Sequence, residues 1–277
     1  MNLRSALEYG KQVLTESNIE DAANDAWLLL SYTTGITRAS YFMDTERLLT
    51  EKEEEAFLSY LKRREMHIPL QHITGEQEFM GLSFAVNEHV LVPRQDTEVL
   101  VETVLKDVRP GVKILDMCTG SGCILISLMK HGEDLTGVGV DISKQALTVA
   151  RDNADRLGVD VEFVHSDLFE CVQGKYDVIV SNPPYIRSEV IRGLQEEVRL
   201  HDPMLALDGK EDGLYFYRRI IKESPKFLKQ RGSIYLEIGH DQGKEVSELL
   251  TEAGFTGVTV KKDLAGLDRV VFGVYNI

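Results

Sequence analysis

Residues 113 to 141 read KILDMCTGSGCILISLMKHGEDLTGVGVD, in which an apolar run passes through a glycine-rich turn into a helical pattern and then a second apolar run. Short apolar runs that alternate with helical stretches are typical of a mostly parallel sheet covered by helices on both faces. The alternation continues along the chain, with further strands predicted at 161–165, 176–181 and 233–239 and helices at 122–130, 144–157, 213–228 and 242–253. The sequence therefore predicts a doubly wound α/β fold.

The end of the chain departs from this alternation. Two further strand patterns, at 257–262 and 269–275, follow each other with no helix between them. Strands that are joined so closely pair antiparallel. A doubly wound, mostly parallel sheet of seven strands that closes with such a hairpin fits class I methyltransferase folds better than dehydrogenase folds.

The chain before residue 95 has a different character. Residues 1–73 predict a small helical domain, in which Gly35 is a C-terminal helix stop and Thr50 with Glu53 forms a capping-box pattern. Residues 74–94 place turn residues between strand-like runs and predict a β-hairpin linker. The remaining residues, 95–277, form the predicted α/β domain.

Composition and charge disfavour several classes of protein. No apolar run approaches the roughly 18 residues of a membrane span, and the first residues lack the continuous apolar stretch of a signal peptide. We therefore expect a cytoplasmic protein with no membrane contact. The net charge of −14 disfavours stable binding to nucleic acid, which relies on Lys and Arg. The three cysteines are not spaced for zinc, and no metal site is predicted.

The turn Cys118-Thr119-Gly120-Ser121-Gly122 lies where the first strand of the α/β part passes into a helix. Its two glycines let the backbone turn tightly and approach a ligand at the carboxyl edge of the sheet. Asp141 ends the next strand, where a carboxylate can accept hydrogen bonds from both ribose hydroxyls of a nucleoside. Asp167 ends the third strand, near the expected position of an adenine edge. The alternative is a plain strand-to-helix turn.

The same loop distinguishes a dinucleotide from S-adenosylmethionine. The dehydrogenase fingerprint has a third glycine three residues after the second, whereas position 125 is Leu. A pyrophosphate also needs a cationic or dipolar cradle, but this loop stands beside Asp116. A carboxylate at this strand end suits the ammonium of a methionine moiety. We therefore expect S-adenosyl-L-methionine as cofactor, with S-adenosyl-L-homocysteine as its product.

The fourth strand ends in the tetrapeptide Asn182-Pro183-Pro184-Tyr185. A carboxamide nitrogen is a poor nucleophile, and an enzyme can help by accepting hydrogen bonds from both of its N–H groups. The side-chain oxygen of Asn182 and the carbonyl of Pro183 can be those acceptors. The two prolines make the segment stiff, because each fixes its own φ and holds the preceding residue extended. Tyr185 can stack on a planar amide or base, so the sequence predicts transfer to a planar nitrogen without a charged general base.

Further motifs carry a family resemblance. The tetrapeptide after such a loop resembles methyltransferases that act on exocyclic amines of bases or on glutamine amides. The segments IPLQHITG at 68–75 and LVPRQDTE at 91–98, together with ALDG at 206–209 and DGL at 212–214, resemble the HemK/PrmC family, the glutamine methyltransferases of peptide chain release factors. The similarity covers nearly the whole chain and is strongest from residue 68 to residue 185.

The resemblance implies a helical N-terminal domain that recognises substrate, a hairpin linker and a catalytic α/β domain. It implies methylation of the side-chain amide of the glutamine in the Gly-Gly-Gln loop of release factors, with those factors as partners. Carried over by position, the glutamine lies on Asn182, Pro183, Pro184 and Tyr185. The cofactor residues are Thr97, Asp116, Cys118, Thr119, Gly120, Ser121, Gly122, Asp141, Asp167, Leu168 and Asn182.

This chain departs from the family pattern at two positions. The first glycine of the usual loop is Cys118, which demands either an ordinary φ or some strain at that point. The residue after Asp167, often aromatic in relatives, is Leu168, so adenine is expected to pack on an aliphatic side chain. Neither departure removes a group needed for the reaction, but both are expected to weaken cofactor binding.

Alternatives to this assignment stay open. A glutamine methyltransferase of a ribosomal protein shares the chemistry and differs in its N-terminal region. A nucleic-acid adenine amino-methyltransferase needs a flipped base and a basic surface, which the acidic composition disfavours. A non-catalytic module predicts cofactor binding without turnover. We expect the protein to act as a monomer.

Overall fold

The computed structural model describes residues Met1 to Asn276. In chain order its elements are α1 (Leu3–Glu16), α2 (Ala22–Thr34), α3 (Arg38–Met43), α4 (Glu51–Glu65), α5 (Leu70–Thr74), β1 (Glu76–Phe79), β2 (Leu82–Ala85), α6 (Gln95–Asp107), β3 (Lys113–Met117), α7 (Cys123–His131), β4 (Thr136–Asp141), α8 (Lys144–Leu157), β5 (Glu162–His165), β6 (Tyr176–Ser181), α9 (Ser188–Ile191), α10 (Glu196–His201), α11 (Met204–Leu207), α12 (Tyr215–Glu223), β7 (Leu228–Glu237), α13 (Gly243–Glu252), β8 (Phe255–Lys262) and β9 (Asp268–Tyr275). The chain divides into two compact units. Unit 1 comprises Met1–Glu76 and Gln195–His201, and unit 2 comprises Gln77–Leu194 and the residues from Asp202 onward.

Unit 1 is helical, as its sequence predicts. Thr50 caps α4 in a complete capping box with Glu53, and Gly35 ends α2 in the left-handed conformation at φ 67°. Both features are encoded locally in the sequence. The core of unit 1 is formed by apolar side chains from α1, α2 and α4, among them Leu3, Leu14, Ala26, Leu29, Leu30, Phe57 and Leu61.

Helix α10 belongs to unit 1 although it follows the tetrapeptide in the sequence. The guanidinium of Arg64 on α4 is 3% exposed, and its Nε donates to Asp25 Oδ2 at 2.7 Å. A second nitrogen of the same side chain donates to Glu197 on α10. A buried charge that is paired and hydrogen-bonded in this way holds together the three chain segments that supply its groups.

Unit 2 contains a seven-stranded sheet in the order β5-β4-β3-β6-β7-β9-β8. The strands from β5 to β7 pair in parallel, and β9 runs antiparallel to both β7 and β8. The predicted doubly wound sheet with its closing hairpin is thus confirmed. Strands β1 and β2 form a separate two-stranded sheet.

The inner strands of this sheet, such as β3 and β6, are buried on both faces, which explains their continuous apolar runs. Ile114 and Leu115 are both fully buried, but they belong to the two different apolar clusters of unit 2. One cluster includes Leu115, Ile179 and side chains of α12 and α13, and the other includes Ile114, Val178 and side chains of α6, α7 and α8. Alternate residues of a strand point to opposite faces, so each cluster fills one face of the sheet.

Several elements differ from the sequence prediction. Helix α6 and the short helices α3, α5, α9, α10 and α11 were not predicted. Strand β7 begins at Leu228 instead of residue 233, and the helix expected over 213–228 is α12 followed by a 3₁₀ turn, Ser224–Lys226. The residues Lys229, Gln230 and Arg231 are polar and exposed, so the start of β7 lacks the apolar pattern that marks buried strands.

Candidate functional site

The glycine-rich turn lies between β3 and α7 at the carboxyl edge of the sheet. Gly122 is the N-cap of α7 with φ 80°. A Cβ atom at Gly122 would lie 2.9 Å from Ile126 Cδ1 and 3.3 Å from Ala150 Cβ. The residue is therefore glycine for two reasons, because the backbone is left-handed and because α8 packs closely against it.

Two residues without glycine's freedom adopt positive φ in this region. Cys118 has φ 61° and Leu168 has φ 49°. These are the two positions at which the chain departs from the family pattern, and both carry backbone strain of the kind that collects at ligand-binding sites. Cys118 therefore does not adopt an ordinary φ, and the backbone at this position is strained.

Asp141 ends β4 and joins the turn to the neighbouring loop. Its Oδ2 accepts from the Gly120 amide at 2.9 Å, and its Oδ1 accepts from the Ser143 amide at 2.8 Å. Burial raises the pKa of this carboxyl, and the two backbone donors act against that rise. The carboxylate is therefore held in one orientation at the edge of the pocket described below.

Asp116 is enclosed beneath the turn. It is 0% exposed, and its Oδ2 accepts from the Thr119 hydroxyl at 2.6 Å. Its Oδ1 has no hydrogen-bond partner among residues 1–276, and burial raises the pKa of the carboxyl to about 7. Direct contact with a cofactor ammonium stays a prediction for this residue, whereas its support of Thr119 is observed.

The tetrapeptide follows β6, which lies beside β3 in the sheet. The Asn182 side chain donates from Nδ2 to Thr97 Oγ1 at 3.3 Å, and the preceding Ser181 hydroxyl donates to the Met117 carbonyl at 2.5 Å. A hydroxyl can donate as well as accept, and in this bond the Thr97 oxygen is the acceptor. Because Nδ2 is used by Thr97, the side-chain oxygen Oδ1 is left for another donor.

The backbone of Tyr185 is enclosed by the two later motifs. A Cβ atom at Gly209 would lie 2.7 Å from Tyr185 Cα, and one at Gly213 would lie 2.4 Å from the Tyr185 carbonyl oxygen. That oxygen accepts from Gln242 Nε2 at 3.1 Å. The glycines of ALDG and DGL therefore allow the chain to pack directly on the tetrapeptide. The ring of Tyr185 packs against the apolar cluster that contains Ile179, and its predicted stacking on substrate stays a prediction.

A pocket at this edge of unit 2 brings most of the predicted residues together. Its wall includes Thr97, Cys118, Thr119, Gly120, Ser121, Asp141, Asp167, Leu168, Asn182 and Pro184. Asp116, Gly122, Pro183 and Tyr185 lie outside its wall. Backbone amides, a fixed carboxylate and an apolar wall are the groups that a nucleoside attached to an amino acid needs. The residues present therefore fit S-adenosylmethionine.

Several wall residues were missed by sequence reasoning. Phe216 on α12 lines the pocket together with Leu168 and supplies an aromatic ring to its wall. Arg219 on the same helix forms an ion pair with Asp167 at 2.9 Å. Ile142, Ala146, Pro203 and Leu205 also line the wall. Ile142 follows Asp141 directly in the sequence and could have been found, whereas α12 carries no local signal for the site.

Among residues 1–276, no helix is long and apolar enough to cross a membrane. The same residues contain no group of three or more His, Cys, Asp or Glu side chains arranged to hold a metal ion.

Comparison with known proteins agrees with this architecture. The model of the PrmC N-terminal domain matches residues 5–75, and that of the methyltransferase small domain matches residues 94–198. The release factor glutamine methyltransferase of Clostridium acetobutylicum is 40% identical over 99% of both chains. The chain belongs to this family.

Other members are comparably similar. The release factor glutamine methyltransferase of Agrobacterium fabrum is 40% identical over 93% of this chain and 92% of its own length. Among solved structures, a 16S rRNA N2 methyltransferase of T. thermophilus, in complex with AdoMet and guanosine, has a TM-score of 0.52 at 16% identity and covers 73% of this chain and 50% of its own. That likeness shows the shared fold. The family membership shows that the chain is an S-adenosylmethionine-dependent methyltransferase.

Proposed function

We propose that this protein transfers a methyl group from S-adenosylmethionine to the side-chain amide nitrogen of the glutamine in the Gly-Gly-Gln loop of peptide chain release factors. The observation that carries the proposal is the hydrogen bond from Asn182 Nδ2 to Thr97 at the pocket wall. It leaves Asn182 Oδ1 as an acceptor, which is what an N–H of a substrate amide requires. Family membership over nearly the full length of the relatives supports the substrate.

The proposed chemistry rests on positioning. Asn182 Oδ1 and the Pro183 carbonyl accept the two N–H groups of the glutamine amide and fix the plane of that amide. A bound amide held in line with the methyl carbon reacts faster because the cost of orienting it has already been met in binding. Pro183 and Pro184 are both buried, so the acceptors cannot move easily away from this geometry.

The turn and the strand ends hold the donor. Asp141 is proposed for the ribose hydroxyls, Asp167 and Leu168 for the adenine, and the backbone of Cys118 to Gly122 for the remainder. S-adenosylmethionine, when bound, supplies an electrophilic methyl group on a sulfonium. The apolar wall that includes Leu168 and Phe216 limits the access of water to that methyl group.

The alternative substrates differ in what they demand of the surface. Methylation of a base in nucleic acid needs a basic surface to hold the strand, and the net charge of −14 disfavours it. A ribosomal-protein glutamine would use the same acceptor pair, so only a transfer assay distinguishes it from a release-factor glutamine. We also propose that the protein acts as a monomer in the cytoplasm, with no stable nucleic-acid partner.

A labelled-transfer assay tests this function. The protein is incubated with methyl-labelled S-adenosylmethionine and a bacterial release factor, either unchanged or with the glutamine of its Gly-Gly-Gln loop replaced by Ala. Label is expected in the unchanged factor and not in the variant. Label that persists in the variant contradicts the proposal. Transfer to a ribosomal protein or to adenine-containing DNA in parallel reactions, with none to the release factor, supports the corresponding alternative.

A further inference from the structure

Glu237 is a buried carboxyl that the proposed chemistry does not use. It ends β7, and the parallel register pairs Ser181 of β6 with Leu236 of β7. The next residues along these two strands, Asn182 and Glu237, are therefore neighbours at the carboxyl edge of the sheet, where Glu237 still pairs with Val270 of β9. Glu237 is 2% exposed, and its Oε2 has no hydrogen-bond partner among residues 1–276.

The neighbours of Glu237 connect it to the tetrapeptide. The hydroxyls of Thr97 and Tyr185 lie close enough to this carboxyl to act on it as hydrogen-bond donors, which favours its ionised form and lowers its pKa. Thr97 is itself buried, at 3% exposure, and accepts the Asn182 amide at 3.3 Å. The Thr97 hydroxyl thus lies between Glu237 and Asn182, the residue that is proposed to hold the glutamine.

The hydroxyl of Thr97 has one proton to donate and lone pairs to accept with. An ionised carboxylate only accepts, so Thr97 must donate its proton toward Glu237. Its lone pairs then face Asn182 and select the Nδ2 end of the asparagine amide. If Asn182 turned by half a rotation, it would present N–H donors to a substrate amide that itself offers N–H groups.

We propose that Glu237 is a positioning residue which, through the hydroxyl of Thr97, determines that the oxygen of Asn182 faces the substrate. This inference rests on the proposed function for its catalytic consequence and on the contacts among Glu237, Thr97 and Asn182 for its structural part. A protonated carboxyl can donate a hydrogen bond of its own, so it holds the Thr97 proton less firmly. The orientation of Asn182 is therefore best fixed when Glu237 is ionised.

Several charged and titratable groups face Glu237. Arg269 from β9 favours its ionised form, and Asp96 from α6 opposes it. Arg269 is already paired at 3.0 Å with both Asp96 and Asp263, so it does not neutralise Glu237 fully. Tyr185, Tyr217 on α12 and Cys123 on α7 complete the surroundings, and burial raises the pKa of each of their groups. Burial also raises the pKa of Glu237, to about 7, so its charge changes within the working range of pH.

A kinetic experiment tests the catalytic part of the proposal. In the wild-type protein kcat is expected to rise as pH passes through about 7 and to level off above it. In Glu237→Gln this rise disappears, and kcat at pH 8 falls about tenfold, less than the roughly hundredfold loss expected for removing a direct transition-state hydrogen bond. The dissociation constant of S-adenosylmethionine is expected to change less than threefold, because Glu237 does not line the wall of the pocket. A Glu237→Gln protein that keeps the rise near pH 7 and an unchanged kcat overturns the proposal.

Matched variants separate positioning from general damage. Thr97→Val removes the hydroxyl at constant volume and is expected to reproduce the loss, whereas Thr97→Ser keeps the hydroxyl and restores most of the activity. Lys229→Ala removes an exposed ion pair with Asp177 at the opposite end of β7 from Glu237 and is expected to keep the wild-type pH profile. Equal losses in Thr97→Val and Thr97→Ser contradict the hydroxyl relay.

The effect of Glu237 on the orientation of Asn182 can be measured in the absence of the methyl-transfer reaction. The side-chain amide of Asn182, assigned by its absence in Asn182→Ala, is followed by ¹⁵N–¹H NMR in the free protein between pH 5.5 and 8.5. Its resonances are expected to titrate near pH 7 in the wild type and to stay constant in Glu237→Gln. Resonances that do not titrate in the wild type overturn the relay even if the release factor is methylated. A titration seen in a protein that methylates no release factor leaves the relay standing and rejects the proposed substrate.

Discussion

The oxygen of Asn182 is one atom on which much of the proposed chemistry depends. Its position follows from neighbours that are far apart in sequence, because Thr97 lies on α6 and Asn182 follows β6. The strained φ of Cys118 and of Leu168 shows that the surrounding loops also hold individual residues in conformations that they do not adopt readily. At this scale the site is a set of single groups fixed by burial and by hydrogen bonds.

Replacement of Asn182 tests directly whether its side chain holds the substrate amide. Asn182→Ala is expected to lower kcat by roughly 10²–10³, because one preorganised hydrogen bond to the reacting amide is lost. The affinity for S-adenosylmethionine, measured by titration calorimetry, is expected to change much less. A large loss of cofactor binding together with a normal kcat at saturation contradicts the role assigned to Asn182.

At the scale of elements, the glycine-rich turn is shaped by the packing of two helices. Gly122 begins α7 and faces Ala150 on α8. A Cβ atom at this position requires the Ile126 side chain to move and brings Ala150 of α8 into a tight contact. The packing behind the turn therefore favours glycine at position 122.

A pair of glycine variants separates packing from backbone strain. Gly158 has φ 64° and nothing within 4 Å of an added Cβ atom, whereas the Cβ atom at Gly122 would meet Ile126 Cδ1 at 2.9 Å. Gly158→Ala is expected to lower the free energy of unfolding by ~1 kcal/mol, from the left-handed backbone alone. Gly122→Ala is expected to cost ~1–3 kcal/mol more through overpacking and to weaken cofactor binding. Urea unfolding measures both, and equal losses contradict the packing argument.

The elements that the sequence predicted correctly share a physical property. The strands β3, β4 and β6 are largely buried and read as apolar runs, and the edge strand β5 keeps the short apolar pair Phe163-Val164, so all four could be placed within a residue or so. Helix α6 was missed because its N-cap residue, Arg94, provides no side-chain cap, and α9, α10 and α11 are too short to show a helical period. In the site, Asp141 and Asn182 were predictable from the ends of their strands. Phe216 lies in a helix, and Glu237, although it ends β7, is connected to the site only by contacts between distant segments.

At the scale of the whole molecule, two enclosed carboxyl groups link stability to pH. Burial raises the pKa of Asp116 from 3.8 and that of Glu237 from 4.5, each to about 7. The folded protein therefore binds these protons more tightly than the unfolded chain does. Between pH 4 and pH 7 the contribution of such groups to stability falls as pH rises, and it levels off above about pH 7.

The pH dependence of unfolding checks this sign. The free energy of unfolding of the wild type is expected to decrease by a few kcal/mol between about pH 5 and pH 7.5, since each tenfold change in proton affinity is worth about 1.4 kcal/mol. Asp116→Asn, which stays neutral, is expected to show a shallower slope over the same range. A slope identical to that of the wild type contradicts the raised pKa of Asp116.

Unit 1 contains a buried charge of its own. Removal of Arg64 by substitution with Ala leaves Asp25 buried without its partner, and unfolding is expected to be easier by ~3–5 kcal/mol. Lys62→Ala, at an exposed position of the same helix, is the control and is expected to change stability by less than about 0.5 kcal/mol. Amide hydrogen exchange in Glu196–His201 is expected to rise only in Arg64→Ala. Unchanged exchange there contradicts the role of Arg64 in holding α10.

The contribution of α10 to unit 1 also limits how the molecule can be recombined. A chimaera that takes residues 1–76 from one parent and the rest from another brings together an Arg64 and a residue 197 from different parents. The crossover is tolerated only where both parents keep this pair, and otherwise Gln195–His201 must be transplanted as well. The N-terminal helices are therefore not an independent cassette, even though they come first in the chain.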